Sequence, residues 1–314
     1  METYPIAAVA RDTGVNKDTL RVWERRYGFP TPSRDAQGER SYSAQDVERL
    51  RVVKRLMDAG HRPGRLMAMS PEARQALAEG VAPAPSSGAA DAMPPSAADM
   101  TALAGCLELI RALDAAGLRR HLGHDLASRG LTRFLVDVLA PLSVAVGEAW
   151  MRGELAVYEE HMFTRCAQGV LDQALAGLPE PARDARPRVL LATLPGEPHG
   201  LGLQMAELAL ALEGARCLSL GVQTPLADIG QAALAFRADV VALSISGCTS
   251  PRGTLADLRE LRGRLRPAQA LWVGGRAPAV RRRPVDGVLT IDGLEALPRE
   301  LARWRRSPLS PGPA

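Results

Sequence analysis

The pattern of apolar and polar positions changes period along the chain, and each period predicts a different architecture. In the N-terminal segment apolar side chains recur at helical spacing: Ile6, Val9 and Ala10, then Val15, Leu20 and Trp23, then Val47, Leu50, Val53 and Leu56-Met57. The first two groups flank Thr13-Gly14, which predicts two short helices joined by a glycine turn, the second N-capped by Asn16. That is helix-turn-helix spacing. Pro30 to Ser43 carries no such stripe and reads as a small hairpin wing, after which Ser43-Ala44-Gln45-Asp46 opens a third helix. Residues 80–99 are mostly Pro, Ala, Ser and Gly, a composition that gives a linker with little to pack. From Met100 to about Gly177 the pattern is helical throughout, with breaks expected near Gly117, Gly130 and Gly153, as in a small bundle of about four helices. Beyond a second connection, Pro179 to Pro187, apolar runs at Val189–Leu194, Cys217–Val222, Val240–Ser246, Ala270–Val273 and Val288–Ile291 alternate with helical patterns near 203–213, 226–236, 254–264 and 293–304. Alternation at that interval predicts a doubly wound parallel sheet.

Charge sharpens this division. Residues 1–66 hold thirteen Lys/Arg against nine Asp/Glu, a difference of +4, which is the net charge of the whole chain. A basic head on a balanced remainder points to phosphate contact by the head, although a solvated charged face has the same composition. Cys106, Cys166, Cys217 and Cys248 are far apart and form no C-x-x-C, so neither a zinc site nor a disulfide framework is expected. No apolar run approaches a membrane span, and Met1-Glu2-Thr3-Tyr4-Pro5 lacks the basic and apolar regions of a signal peptide. The expectation is a cytoplasmic protein without a membrane partner.

The candidate chemistry lies in Gly196-Glu197-Pro198-His199-Gly200-Leu201-Gly202, placed where the first apolar run of the sheet turns into a helix. In a doubly wound sheet ligands bind beyond the carboxyl ends of the strands, so His199 faces a ligand crevice. A glycine-rich turn with an incidental imidazole has the same local pattern. The intervals that follow change the weighting: 41 residues (203–243) separate Gly202 from Ser244-Ile245-Ser246, and 27 residues (247–273) separate that triplet from Gly274-Gly275. Together these resemble the D-x-H-x-x-G, S-x-L, G-G signature of domains that bind cobalamin base-off. The resemblance implies His199 as lower axial ligand to cobalt, Glu197 as its carboxylate partner, and Gly202, Ser244, Ser246, Gly274 and Gly275 around the nucleotide tail. Neutral imidazole suits such a metal, and a neighbouring carboxylate fixes its tautomer. Glu197 departs from the usual Asp, and Ser246 from the usual Leu, which implies a differently shaped tail pocket.

In the head, Leu20-Arg21-x-Trp23-Glu24-x-Arg26-Tyr27-Gly28-Phe29-Pro30, followed by Arg34, Gly38, Arg40 and Tyr42, resembles the MerR family of winged-helix regulators. The likeness implies double-stranded promoter DNA as partner, Trp23 in the core, and Arg21, Arg25, Arg34, Arg40 and Tyr42 facing DNA; Lys17 lies beside the apolar stripe of the same helix. For any one of these arginines a solvated surface position fits as well. In the bundle, Trp150 is followed after nine residues by Glu160-His161. The three could line one pocket, and the same spacing fits a bundle tryptophan with a polar face. W-x9-E-H ahead of a cobalamin domain resembles the cap of the CarH/LitR-type light-sensing repressors, which implies adenosylcobalamin as cofactor; self-association to dimer or tetramer is expected because one short recognition helix reads few bases and two half-sites read twice as many. In that family a histidine follows the cap tryptophan; here the position is Met151. The expected organisation is a DNA-binding head over 1–75, a linker over 76–99, a helical cap over 100–178 and a flavodoxin-like cobalamin domain over 188–306. No catalysis is required. A corrinoid carrier of methyl transfer would share bundle and sheet but has no use for the head, and the other alternative is a MerR-type regulator whose C-terminal part has lost the cofactor and senses protein partners.

Overall fold

The computed structural model describes residues 3–34, 38–58, 63–80, 97–151, 154–246, 251–275 and 278–307. They fall into two units, Met1–Ala92 with Gly147–Val157, and Met93–Val146 with Tyr158–Ala314. Most of the expected linker (81–96), Gly153 and Cys248 lie outside the described residues.

In the first unit, β1 (Thr3–Pro5) leads into α1 (Ile6–Thr13), and α2 (Lys17–Tyr27) follows a turn at Gly14, whose φ of 66° suits a residue without a Cβ. Asn16 caps α2, its side chain accepting from the Asp18 N–H at 2.9 Å. The wing is formed by β2 (Ser33–Arg34) and β3 (Arg40–Ser43). The order β1-β3-β2 adds to it an antiparallel strand that the sequence pattern had not indicated. Ser43 and Asp46 cap each other at the start of α3 (Ala44–Asp58), the Asp46 N–H donating to Ser43 Oγ at 3.1 Å and the Ser43 N–H to Asp46 Oδ2 at 3.3 Å. Two further helices, α4 (Pro63–Met67) and α5 (Pro71–Gly80), carry the head past residue 75. Val9, Val15, Leu20, Trp23, Val47, Leu50, Val53 and Leu56 are buried together as its core, as the helical stripes predict.

The helical part of the second unit comprises α6 (Ala97–Arg111), α7 (Ala115–Arg129), the short α8 (Leu131–Arg133) running into a π-helical segment (Phe134–Leu139), and α10 (Val157–Ala176), with α9 (Ala140–Met151) crossing from one unit to the other. The break expected at Gly117 falls earlier. Leu113 takes a φ of 55° and Asp114 caps α7 through the Gly117 N–H at 2.7 Å, so Gly117 is the capped residue inside the helix rather than its breaker. Gly130, with φ 76°, does separate α7 from α8.

The rest is a parallel five-stranded sheet of order β5-β4-β6-β7-β8, with β4 at Arg188–Ala192, β5 at Arg216–Ser219, β6 at Val240–Ile245, β7 at Ala270–Gly275 and β8 at Val288–Thr290. Helices α11 (Leu201–Leu212), α12 (Leu226–Ala235), α13 (Pro251–Arg264), α14 (Pro278–Arg282) and α15 (Leu297–Arg306) connect and close it. Two apolar layers sandwich the sheet: Leu190, Val241, Leu243 and Leu271 face one, Val189, Leu191, Val240 and Trp272 the other. This is the doubly wound, flavodoxin-like arrangement, and its strand order reverses direction at β4 and β6. No helix among the described residues is long and apolar enough to cross a membrane.

Candidate functional site

At the switch point between β4 and β6 the chain leaves β4 through Thr193 and turns at Gly196, φ 79°, to set Glu197 beneath His199. Thr193 is fully buried; its Oγ1 donates to the Glu197 carbonyl at 2.7 Å and accepts from the Gln223 N–H at 2.8 Å. It is the one hydroxyl in the run 189–194, and that interruption was the signal for a structural role at the turn. The Glu197 side chain has no exposure to solvent, and its Oε1 lies 2.7 Å from His199 Nδ1 and accepts from the His199 N–H at 3.2 Å.

Across from it, the Ser246 N–H donates to Glu197 Oε2 at 2.8 Å and the Ser246 hydroxyl approaches Oε1 at 2.9 Å and Oε2 at 2.8 Å. Burial pushes the Glu197 carboxyl up, but the hydrogen bonds from His199 and Ser246 outweigh it and hold the group below the ordinary carboxylate range. An ionised Glu197 requires Nδ1 to carry the imidazole proton, which puts the basic lone pair on Nε2 of a side chain 53 % exposed. Ser246, in place of the apolar residue of the resembled signature, thus sits just beyond β6 as part of the cage around the longer Glu197.

The small residues converge on the same end of the sheet. Ser244 pairs with Gly274 and Ile245 with Gly275 across β6 and β7. A Cβ at Gly202 would lie 2.9 Å from Ser244 Oγ, and one at Gly275, φ 96°, would lie 2.3 Å from the Ile245 carbonyl oxygen. Gly200 is also close-packed, its Cβ position 3.0 Å from Val222. An imidazole with an outward lone pair above a floor that admits no side chain fits a large planar cofactor carrying a metal and a tail. In the same unit, Glu160 and His161 adjoin at the start of α10, with His161 Nε2 3.7 Å from Glu160 Oε2 and 71 % exposed, and Glu160 Oε1 accepts from the Thr164 hydroxyl at 2.7 Å. Trp150 is half-buried next to the last residue of α9, within the first unit.

On the head, Lys17, Arg21 and Arg25 are exposed along α2, with Arg21 bridged to Asp18 at 3.0 Å, and Arg34 is exposed on the wing, its guanidinium donating to the Gly38 carbonyl at 2.7 Å. Two of the expected DNA-facing residues are engaged elsewhere. Arg40 is partly buried and binds Glu24 of α2 at 2.7 Å, tying wing to helix. Tyr42 is wholly buried among Val9, Leu20 and Leu50, and burial pushes its phenol up. Alternation along β3 explains both: the strand turns Tyr42 inward to the core, so in this conformation it is a core residue and not a DNA-facing one.

The chain matches the MerR HTH family regulatory protein over residues 4–69 and two B12 binding domain families, over 102–174 and 187–295. It is 34 % identical over 275 residues to the HTH-type transcriptional repressor CarH of Myxococcus xanthus, spanning 88 % of this chain and 89 % of that one. To the HTH-type transcriptional repressor CarA of the same organism it is 33 % identical over 251 residues, spanning 79 % and 78 %. The monomethylamine corrinoid protein of Methanosarcina barkeri superposes with a TM-score of 0.53 at 16 % identity, over 65 % of this chain and 98 % of that one, a likeness of fold. With head, bundle and sheet each matched in order, the chain belongs to the MerR-type, cobalamin-binding transcriptional regulators.

Proposed function

We propose that this regulator is a repressor whose hold on promoter DNA is set by adenosylcobalamin bound in its second unit, with His199 Nε2 as the lower axial ligand. The observation that carries the reading is the buried Glu197 carboxyl 2.7 Å from His199 Nδ1, with its pKa held down by that contact and by Ser246, which makes the opposite nitrogen a good donor. Ser246 holds Glu197, and Gly202, Ser244, Gly274 and Gly275 are assigned to the nucleotide tail. Glu160 and His161 of the same unit are assigned to the upper face. Residues 1–75 would bind DNA through Lys17, Arg21, Arg25 and Arg34, residues 76–99 would link, 100–178 would cap and 188–306 would hold the cofactor. Self-association to a dimer or tetramer supplies the second recognition helix that two half-sites need. Regulation asks for no catalytic step, as in the relatives named repressors.

Adenosylcobalamin, when bound, supplies a cobalt–carbon bond that light breaks. What this chain offers afterwards differs from the resembled photoreceptors, since Met151 follows Trp150 and a thioether is a soft, weak ligand. The illuminated protein is therefore expected to lack bis-imidazole character, and cofactor availability to be the stronger signal. The test is the absorption spectrum of protein reconstituted with adenosylcobalamin in the dark and after illumination. Wild type should give a base-off, histidine-ligated spectrum that His199→Ala loses; an unchanged spectrum and affinity in His199→Ala would overturn the assignment.

A further inference from the structure

Among the described residues of the head, Val22 is the one large apolar side chain that is exposed, at 50 %. It lies on the second helix of the helix-turn-helix, α2, whose core-facing residues are Leu20 and Trp23. At 100° per residue, the outward face opposite them is made of Asp18, Arg21, Val22 and Arg25, with Arg26 at its edge. Val22 is one turn from Asp18 and from Arg25 and Arg26, and so occupies the middle of a charged surface. A β-branched residue there gains nothing for the helix: valine has poorer helix propensity than alanine, and half of its surface stays in water. A single apolar residue ringed by charges is also too small for a protein-docking patch. It does match one chemical group of the major groove, the C5-methyl of thymine, which is read by apolar contact, while the surrounding arginines suit guanine edges and phosphates.

We infer that Val22 is a specificity-determining residue that reads a thymine methyl in each half-site. This rests on the DNA-binding reading of the head and adds to it a base preference that the charges alone do not supply. Contact with one methyl is expected to be worth roughly fourfold in affinity, the value of one buried methyl-sized group.

The experiment selects duplexes from a random pool with the full-length protein, then makes the selected duplexes with thymine and with deoxyuridine, which lacks only the methyl. Wild type and Val22→Ala are titrated against both. Wild type should bind the deoxyuridine duplex roughly fourfold more weakly per contacted position. Val22→Ala, a change at an exposed helical site that leaves the melting temperature in place, keeps one methyl but shortens its reach and should show a smaller deoxyuridine penalty than wild type. Single thymine-to-deoxyuridine replacements then locate the contact. An equal thymine-to-deoxyuridine ratio in both proteins, or no loss in wild type, overturns the inference while leaving DNA binding intact. Failure to select any sequence overturns the reading of the head, and this inference with it.

Discussion

At the scale of single residues, the site turns on one carboxylate. Because Glu197 is buried and paired while His199 is half-exposed, Glu197→Gln should keep the shape of the turn yet replace the charged acceptor that makes Nε2 basic by a neutral amide oxygen. Cobalamin affinity is expected to fall roughly 10- to 100-fold, the usual cost of removing such a partner, against loss of tight binding in His199→Ala; equilibrium dialysis separates the two. That His199 and Glu197 meet at the turn, and that Ser244 and Ile245 lie beside Gly274 and Gly275, was legible in the sequence because spacing fixes it. The role of Ser246 was not, since its departure from the usual Leu implied only a differently shaped tail pocket until its hydroxyl is seen on Glu197. Tyr42 failed for the converse reason, an aromatic beside cationic residues that the pleat turns inward. Two thiols give an independent check. Burial, with some help from Asp125, pushes Cys106 up to about 11, and burial, with some help from Glu207, pushes Cys217 up to about 12. The folded protein therefore holds those protons when the unfolded chain, with thiols near about 8.5, has begun to release them. Their contribution to stability is complete below about pH 8.5 and declines as pH rises toward the folded values. Native alkylation at pH 8 followed by mass spectrometry should leave Cys106 and Cys217 unmodified.

At the scale of elements, the parallel sheet followed from the alternation of apolar runs and helical stripes, which is a long-range consequence of burial on both faces. Elements too short to show a period were missed, namely the three-residue β1 and the five-residue α4 and α14; α5 was missed because Leu77 is its one large apolar residue. The displaced break at Leu113–Asp114 has a local cause, an aspartate cap that outweighs the glycine three residues on. The close approach of β6 and β7 is a backbone requirement, and it makes a sharp prediction. Gly275→Ala must place a methyl 2.3 Å from the Ile245 carbonyl in a left-handed conformation, so the strand end has to move. We expect a loss of about 2–4 kcal/mol of stability, read from urea denaturation, together with weaker cobalamin binding. In the head, the Arg40–Glu24 pair joins wing to recognition helix. Arg40→Gln should lower DNA affinity with little change in the slope of affinity against salt, because it loosens the wing without removing an exposed cation. Arg34→Ala should reduce that slope by about one phosphate contact.

At the scale of the whole molecule, the sequence carried the order of its parts through three separated motifs and a charge excess confined to the first 66 residues. It could not carry how one part acts on another, because coupling is a difference between states and not a property of any residue. The account requires that coupling: cobalamin ligated by His199 must change the affinity of the head for DNA. The most direct measurement is the anisotropy of a labelled promoter duplex titrated with full-length protein, without cofactor and with adenosylcobalamin in the dark, for wild type and His199→Ala. The account predicts at least a roughly fivefold change in DNA affinity on adding cofactor to wild type, the lower end of ordinary allosteric coupling, and none in His199→Ala. Equal DNA affinity of wild type with and without bound cobalamin would contradict it.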